Sequence, residues 1–315
     1  MRAEAFPTVR SVGGLLPADI LTAIAGGDDL PGMRPSDFGL PDGETVREAA
    51  NRSWDRLRAA WLAFRRAVPA GAATEPLTES TRAKWLRVLF EELGYGRLPA
   101  VPAGGLRVDG VAYPLSHQWE RTPIHLLSAG VPLDRRTPNV PGAARQAPHS
   151  LLQELLNRSE DHLWGLVSNG LTLRLLRDSA TLVRQAYVEF DLEGMFDGEV
   201  FADFALLWQV CHASRVEPQP DPSAPPWTCW LERWREEGAT RGTRALTTLR
   251  LGVTDALRVL GRGFLAATPA LREAMRAGTL RPREYHRLLL RAVYQLLVLF
   301  VAEDRGLLHH PDAGS

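Results

Sequence analysis

Residues 163–176 read LWGLVSNGLTLRLL, two apolar runs on either side of Asn169-Gly170. Asn and Gly both tolerate the positive φ that the central residues of a type I′ turn require, so the stretch predicts a β-hairpin, Leu163 to Ser168 against Leu171 to Leu176. Asp109-Gly110 sits in the same way between Leu106 to Val108 and Val111 to Leu115 and predicts a second hairpin. Ile124 to Ser128 and Tyr187 to Leu192 read as further strands. Between them Pro148 suits a first helical position, ahead of Leu151, Leu152, Leu155 and Leu156. The middle of the chain is therefore expected to hold a sheet.

Helical periodicity surrounds it. Thr45 and Glu48 form a capping box, after which Val46, Ala50, Trp54, Leu57, Trp61, Phe64 and Val68 recur at steps of three and four. A second helix follows Thr78, with Trp85, Leu86, Leu89, Phe90 and Leu93 on one face and Gly94 as its stop. Residues 13–43 are rich in Gly, Pro and Asp and predict an irregular arm with one brief helix over Asp19 to Ala25. Past Gly194, Phe201, Phe204, Leu207, Trp208 and Cys211 share a helical face, and Val216 to Pro226 is a Pro-rich spacer. Trp227 to Glu237, Thr240 to Ala267, Pro269 to Ala277 and Pro282 to Arg305 read as four helices broken by glycine and proline. The expected fold is α+β and mostly helical: an N-terminal arm and helix (1–78), a central α/β module (79–193) and a C-terminal helical connector (194–315).

Among the 315 residues, 37 Lys and Arg balance 37 Asp and Glu, and Lys84 is the single lysine. A net charge of zero excludes the global positive field of a dedicated nucleic-acid binder, so any DNA contact must be a local patch. Cys211 and Cys229 supply neither a disulfide framework nor a zinc set and fit a reducing cytosol. Met1 to Val12 lacks a signal peptide's pattern, and the apolar run Ala292 to Ala302, interrupted by Gln295, is too short for a membrane span and reads as a buried helix. These features predict a cytoplasmic protein without membrane contact. The chain ends at Gly306 to Ser315, directly after a long apolar helix, and reads as cut short.

Helix, three strands, helix and strand is the element order of the PD-(D/E)xK nuclease core, in which two acids hold a divalent metal and a lysine assists the attacking water. Ile124-His125-Leu126-Leu127-Ser128, where the Glu-x-Lys pair should stand, carries neither acid nor lysine. Asp134 comes too late, arginine gives up a proton far less readily than lysine, and Asp109 is equally explained as a turn residue. The module is thus expected to be a degenerate nuclease fold, with an unusual metal site around Asp109, His125 and Asp134 as the enzymatic alternative. The histidines at 117, 125, 149, 162, 212, 286, 309 and 310 lack the close spacing of a zinc site. His125, interrupting an apolar strand, reads more readily as a hydrogen-bonded core residue than as a catalyst.

Ala224-Pro225-Pro226-Trp227 imitates the Pro-Pro-aromatic loop of amino-methyltransferases, but its alanine can accept no hydrogen bond from a target amino group. Gly261-x-Gly263 lies in a helical pattern and lacks the strand-turn-helix context of a nucleotide loop. Neither the cofactor nor the catalytic chemistry of a methyltransferase is therefore expected in this chain. Arg135, Arg136 and Arg145, before the Pro148 helix, with Arg174 and Arg177 beside the second hairpin, form the candidate DNA-facing edge. Ordinary salt-bridging arginines are the competing reading.

Gly13-Gly14-Leu15-Leu16-Pro17, Asn51-Arg52-Ser53-Trp54, Thr81-Arg82 through Leu89-Phe90-Glu91-Glu92-Leu93-Gly94-Tyr95-Gly96, Leu155-Leu156-Asn157-Arg158-Ser159, Leu163-Trp164-Gly165-Leu166-Val167-Ser168-Asn169-Gly170, Phe190-Asp191-Leu192-Glu193 and Phe300 to Leu307 with Ala302-Glu303-Asp304-Arg305-Gly306 together resemble the N-terminal region of type IIG-like restriction-modification adenine-specific DNA methyltransferases, including the methylase of the DISARM phage-defence system. The resemblance implies a nuclease-like domain and a helical connector. The S-adenosylmethionine-dependent domain and the target-recognition domain would follow. It also implies double-stranded DNA as partner, with other restriction or defence subunits as further partners. The family's cofactor loop and its catalytic Asn-Pro-Pro-Tyr-type loop match no position here, so S-adenosylmethionine is expected only for the full-length family. A stand-alone module binding other defence proteins through its C-terminal helices is the third alternative.

Overall fold

The computed structural model describes residues 6–27, 30–67, 78–178, 185–304 and 307–308. Val68, Arg305, Gly306, His309, His310 and the termini 1–5 and 311–315, on which some of these expectations fall, lie outside the described residues. The chain is α+β and mostly helical. Contacts divide it into two compact units, Phe6–Gly238 and Ala239–Ser315. The expected boundaries at 78/79 and 193/194 both fall inside the first.

That unit is built on a six-stranded mixed sheet. Its strands are β1 (Val9–Val12), β4 (His117–Trp119), β5 (Thr122–Leu126), β6 (Trp164–Ser168), β7 (Thr172–Arg177) and β8 (Tyr187–Asp191), in the order β1-β8-β7-β6-β5-β4. β2 (Leu106–Val108) and β3 (Val111–Tyr113) form a separate hairpin. Neighbours run antiparallel except β5 and β6, which are parallel because the helix Pro148–Arg158 carries the chain across between them. The sheet is covered on both faces. Leu166, Leu173, Leu175, Val188 and Phe190 belong to the large core, while Val167, Leu176 and Tyr187 pack with Leu152, Leu155 and Leu156 of the crossover helix. Double coverage explains why the strands read as unbroken apolar runs rather than alternating ones.

The helix Val46–Ala67 begins at its capping box, where the Glu48 amide donates to Thr45 Oγ1 (3.2 Å) and the Thr45 amide to the Glu48 carboxylate (2.8 Å). Its aromatic stripe enters the large core: Trp54 stacks on Phe196 at 4.8 Å and Trp61 meets Trp85 edge-on at 5.1 Å. Trp85 lies on the helical segment 78–95, which contains two π turns and ends where Gly94 takes φ 83°. The N-terminal stretch is more ordered than its composition implied. β1 extends the sheet edge along β8, and the helix Ala18–Gly26 buries Ile20, Leu21 and Ile24.

Three local expectations need correction. Asp109 (φ 50°) and Gly110 (φ 77°) do make the predicted turn, but at Asn169-Gly170 only the glycine takes positive φ. There the last paired residues are Ser168 and Leu173, and Asn169 Oδ1 accepts from the amides of Leu171 and Thr172 (3.1 and 2.9 Å). The cause is tertiary: the Gly170 carbonyl accepts from Trp85 Nε1 at 2.7 Å, which fixes a wider turn. Second, no break occurs at Gly238; Trp230–Ala267 is one helix. A side chain at Gly238 would stand 2.9 Å from Pro17 and 3.0 Å from Ile20, so this glycine allows close approach instead of ending a helix. Third, the run Ala292 to Ala302, expected to be a buried helix, lies on the helix Pro282–Asp304 with Val293 buried but Tyr294, Phe300 and Val301 more than half exposed. The helix residues Pro282–Glu303 also meet the length and composition of a membrane-crossing segment, which the shorter run 292–302 did not.

Candidate functional site

The chain between β5 and the crossover helix lacks regular structure but is pinned at many points. The Leu127 amide donates to Ser168 O (2.8 Å), the Ala129 amide to Thr81 Oγ1 (3.1 Å) and Asn169 Nδ2 to Val131 O (2.9 Å). Further on, the Thr137 amide donates to Ala143 O (2.8 Å), closing a small loop with Arg135 and Arg136 on one arm and Arg145 on the other. All three arginines are exposed. His125 holds the loop from below: its Nε2 donates to Gly142 O at 3.0 Å, because a carbonyl can only accept. A side chain at Gly142 would come within 2.3 Å of that imidazole, so the packing admits glycine there.

Beside this loop opens a cleft of about 770 Å³, lined by Arg82, Tyr113, His125, Gly142, Arg145 and Glu154 among others. Arg82, on the helical segment 78–95, donates through Nε to Leu126 O at the end of β5 (2.9 Å). Glu154 accepts from Tyr113 Oη and Gln146 Nε2, both at 3.3 Å. A second cleft of about 630 Å³ shares Ala100 with the first and is lined by Arg87, Arg97, His117 and Glu91. Burial, then Arg82 and Arg87, pushes His117 down to about 4. His125 is likewise lowered to about 4, chiefly by burial, against the opposing bond to Gly142. Near neutral pH both imidazoles are uncharged, so the positive charge around the two clefts comes from Arg82, Arg87, Arg97 and Arg145.

Arg174 and Arg177 are placed differently. Arg174 is buried and grips Asp134 with two nitrogens (2.6 and 2.8 Å) and Glu189 through Nε (2.6 Å), its guanidinium 4.6 Å over the Tyr187 ring. Burial works against its charge, but the two carboxylates outweigh that and raise its pKa. The same hydrogen bonds hold Asp134 below the usual carboxylate range. Arg177 forms a two-pronged pair with Glu232 (2.8 Å each). Both therefore serve internal ion pairs, and Arg174 anchors the base of the loop that presents Arg135 and Arg136. Asp109 turns the β2–β3 hairpin, His125 supports the loop and Asp134 faces Arg174; among the described residues no three His, Cys, Asp or Glu side chains converge as metal ligands.

Sequence reasoning missed Arg82, Arg87 and Arg97. A signal existed: Arg82 stands one turn before Trp85 and Leu86, half-buried beside their apolar face, while Arg87 is exposed, and π turns such as the one over Arg82–Leu86 recur at functional sites. What the sequence did not reveal is that β5 ends against Arg82. Comparison of the chain with known protein families, curated proteins and solved structures finds no match. The fold and the cleft define an α+β protein with an arginine-edged depression beside β5.

Proposed function

We propose that this chain contributes DNA contacts and scaffolding, without catalysis of its own, to a bacterial restriction-modification or phage-defence adenine-specific DNA methyltransferase. The observation that carries the reading is the loop 129–147, which projects Arg135, Arg136 and Arg145 into solvent beside a cleft also edged by Arg82. Exposed guanidinium groups on a pinned loop suit phosphate oxygens, which they meet with two parallel hydrogen bonds. A hairpin, a crossover helix and a parallel strand fit a nuclease-like module, and β5 carries His125 where such a module would hold its acid and lysine. This supports a module that kept the shape without the metal chemistry. S-adenosylmethionine would belong to the methyltransferase domain of the family, and other restriction or defence subunits are its further proposed partners.

The test is fluorescence anisotropy with a 30-base-pair duplex across a salt series. Replacing Arg135, Arg136 and Arg145 together by alanine is expected to weaken binding at least tenfold and to flatten the log-log salt slope by about one for each phosphate that the variant no longer neutralises. Equal affinity and slope for the wild type and the triple variant would refute the assignment.

A further inference from the structure

The zero net charge conceals a partition. Residues 239–315 carry twelve arginines against six acidic side chains, a formal +6, while residues 1–238 carry a formal −6. The basic unit also exposes much apolar surface. Its two long helices meet where Tyr285 Oη donates to Gly261 O (2.7 Å). Elsewhere they leave between them a groove of about 290 Å³, lined by Leu249, Val253 and Leu260 on one side and Val293, Leu296 and Phe300 on the other. Gly252 lies in the groove with nothing within 4 Å of the position a Cβ would take. Leu249 is 51% exposed and Phe300 58%. Such contiguous apolar surface on a long helix pair marks a binding site rather than ordinary solvent exposure.

We propose that this groove docks an acidic amphipathic helix of a partner protein. A concave apolar strip between two helices matches the convex face of a third, whose apolar residues recur every three or four positions. Charge selects the partner's polar flanks. Arg250 is exposed directly after groove-lining Leu249, on the flank of the strip. Asp255 already pairs with Arg258, and Glu303 lies one turn beyond Phe300. Six acidic groups cannot neutralise twelve arginines, so glutamates flanking the incoming helix gain attraction and lysines gain repulsion. The same excess disfavours the matching surface of a second copy, and the apolar lining offers phosphate no donors. This proposal rests on the groove alone and is independent of the DNA reading.

The full chain is titrated by calorimetry with two synthetic 21-residue helices sharing a leucine stripe, one flanked by glutamate and one by lysine. The glutamate peptide is expected to bind in the micromolar range and the lysine peptide at least tenfold more weakly. Leu249→Glu with Leu296→Glu, both exposed positions, is expected to reduce glutamate-peptide binding at least tenfold. Arg250→Glu should narrow the preference between the peptides severalfold while leaving the apolar strip intact. Circular dichroism confirms the fold of each variant. No binding, equal binding of both peptides, or binding indifferent to these substitutions overturns the proposal. So does sedimentation with phosphatidylglycerol vesicles, or a dimer, that the leucine variant abolishes while the glutamate peptide fails to bind.

Discussion

At the scale of single residues, arginine serves opposite purposes in this chain, and the partner decides which. Arg215 is fully buried: it donates to the carbonyls of Gly32 and Asp37 and lies 3.7 Å over the Phe38 ring, and burial lowers its pKa to about 9 against the opposing charge of Asp37. Arg174 is buried between two acids, and Arg135, Arg136 and Arg145 face water. The sequence showed all five candidate arginines, but not that Asp134 and Glu189, at separations of 40 and 15 residues, would claim Arg174. Pairing across a sheet depends on register, which composition does not encode. Arg174→Ala is therefore expected to cost roughly 2–4 kcal/mol, because it strands Glu189 and frees the Asp134 arm. Urea denaturation measures the loss. Hydrogen exchange should quicken at the His149 amide, which donates to Leu133 O next to that arm. Arg135→Ala should stay within about 0.5 kcal/mol of the wild type. Similar costs for the two substitutions would contradict this division of roles.

At the scale of elements, what was legible is what local chemistry decides. The capping box at Thr45, the Asp109-Gly110 turn, the Pro148 helix and the stop at Gly94 stand where their residues place them. What was not legible depends on tertiary contact. β1 and β4 have four and three residues, too few to show a period, and gain their identity by pairing with β8 and β5. Gly238 illustrates the same limit, since a glycine read as punctuation is a contact. Two substitutions in the helix Trp230–Ala267 separate these meanings. Gly242→Ala, where a Cβ meets nothing within 4 Å, is expected to stabilise by about 0.5–1 kcal/mol through helix propensity. Gly238→Ala gains the same propensity but drives a methyl into Pro17 and Ile20, so a net loss of about 1–2 kcal/mol is expected. Thermal melts of the two variants should shift in opposite directions; two upward shifts would show that Pro17 and Ile20 yield freely.

At the scale of the whole molecule, four buried histidines make stability depend on pH. His117, His125, His149 and His212 are each lowered from 6.5 to about 4, in every case first by burial. The bonding agrees with neutral rings at three of them. His149 Nδ1 and His212 Nδ1 face donors, the Arg174 guanidinium (3.4 Å) and the Ser214 amide (3.3 Å), while His125 spends its one N–H on Gly142 O. Their folded pKa values lie below the unfolded value, so as pH falls from about 6.5 to about 4 the unfolded chain takes up protons first. Stability falls through that window and is level above it. Each histidine contributes at most about 1.4 kcal/mol per pH unit there. Asp134 and Glu232, lowered by their arginine partners, extend the loss to more acid pH. The urea midpoint should accordingly be constant from about pH 8 to 7 and fall steadily from about 6.5 to 4.5. His125→Gln, which can keep a donor toward Gly142, should make that fall shallower by one histidine's share. A midpoint that stays level down to pH 4.5 would mean that these imidazoles become charged inside the fold without cost, which their burial among arginines and carbonyl-bonded loops does not allow.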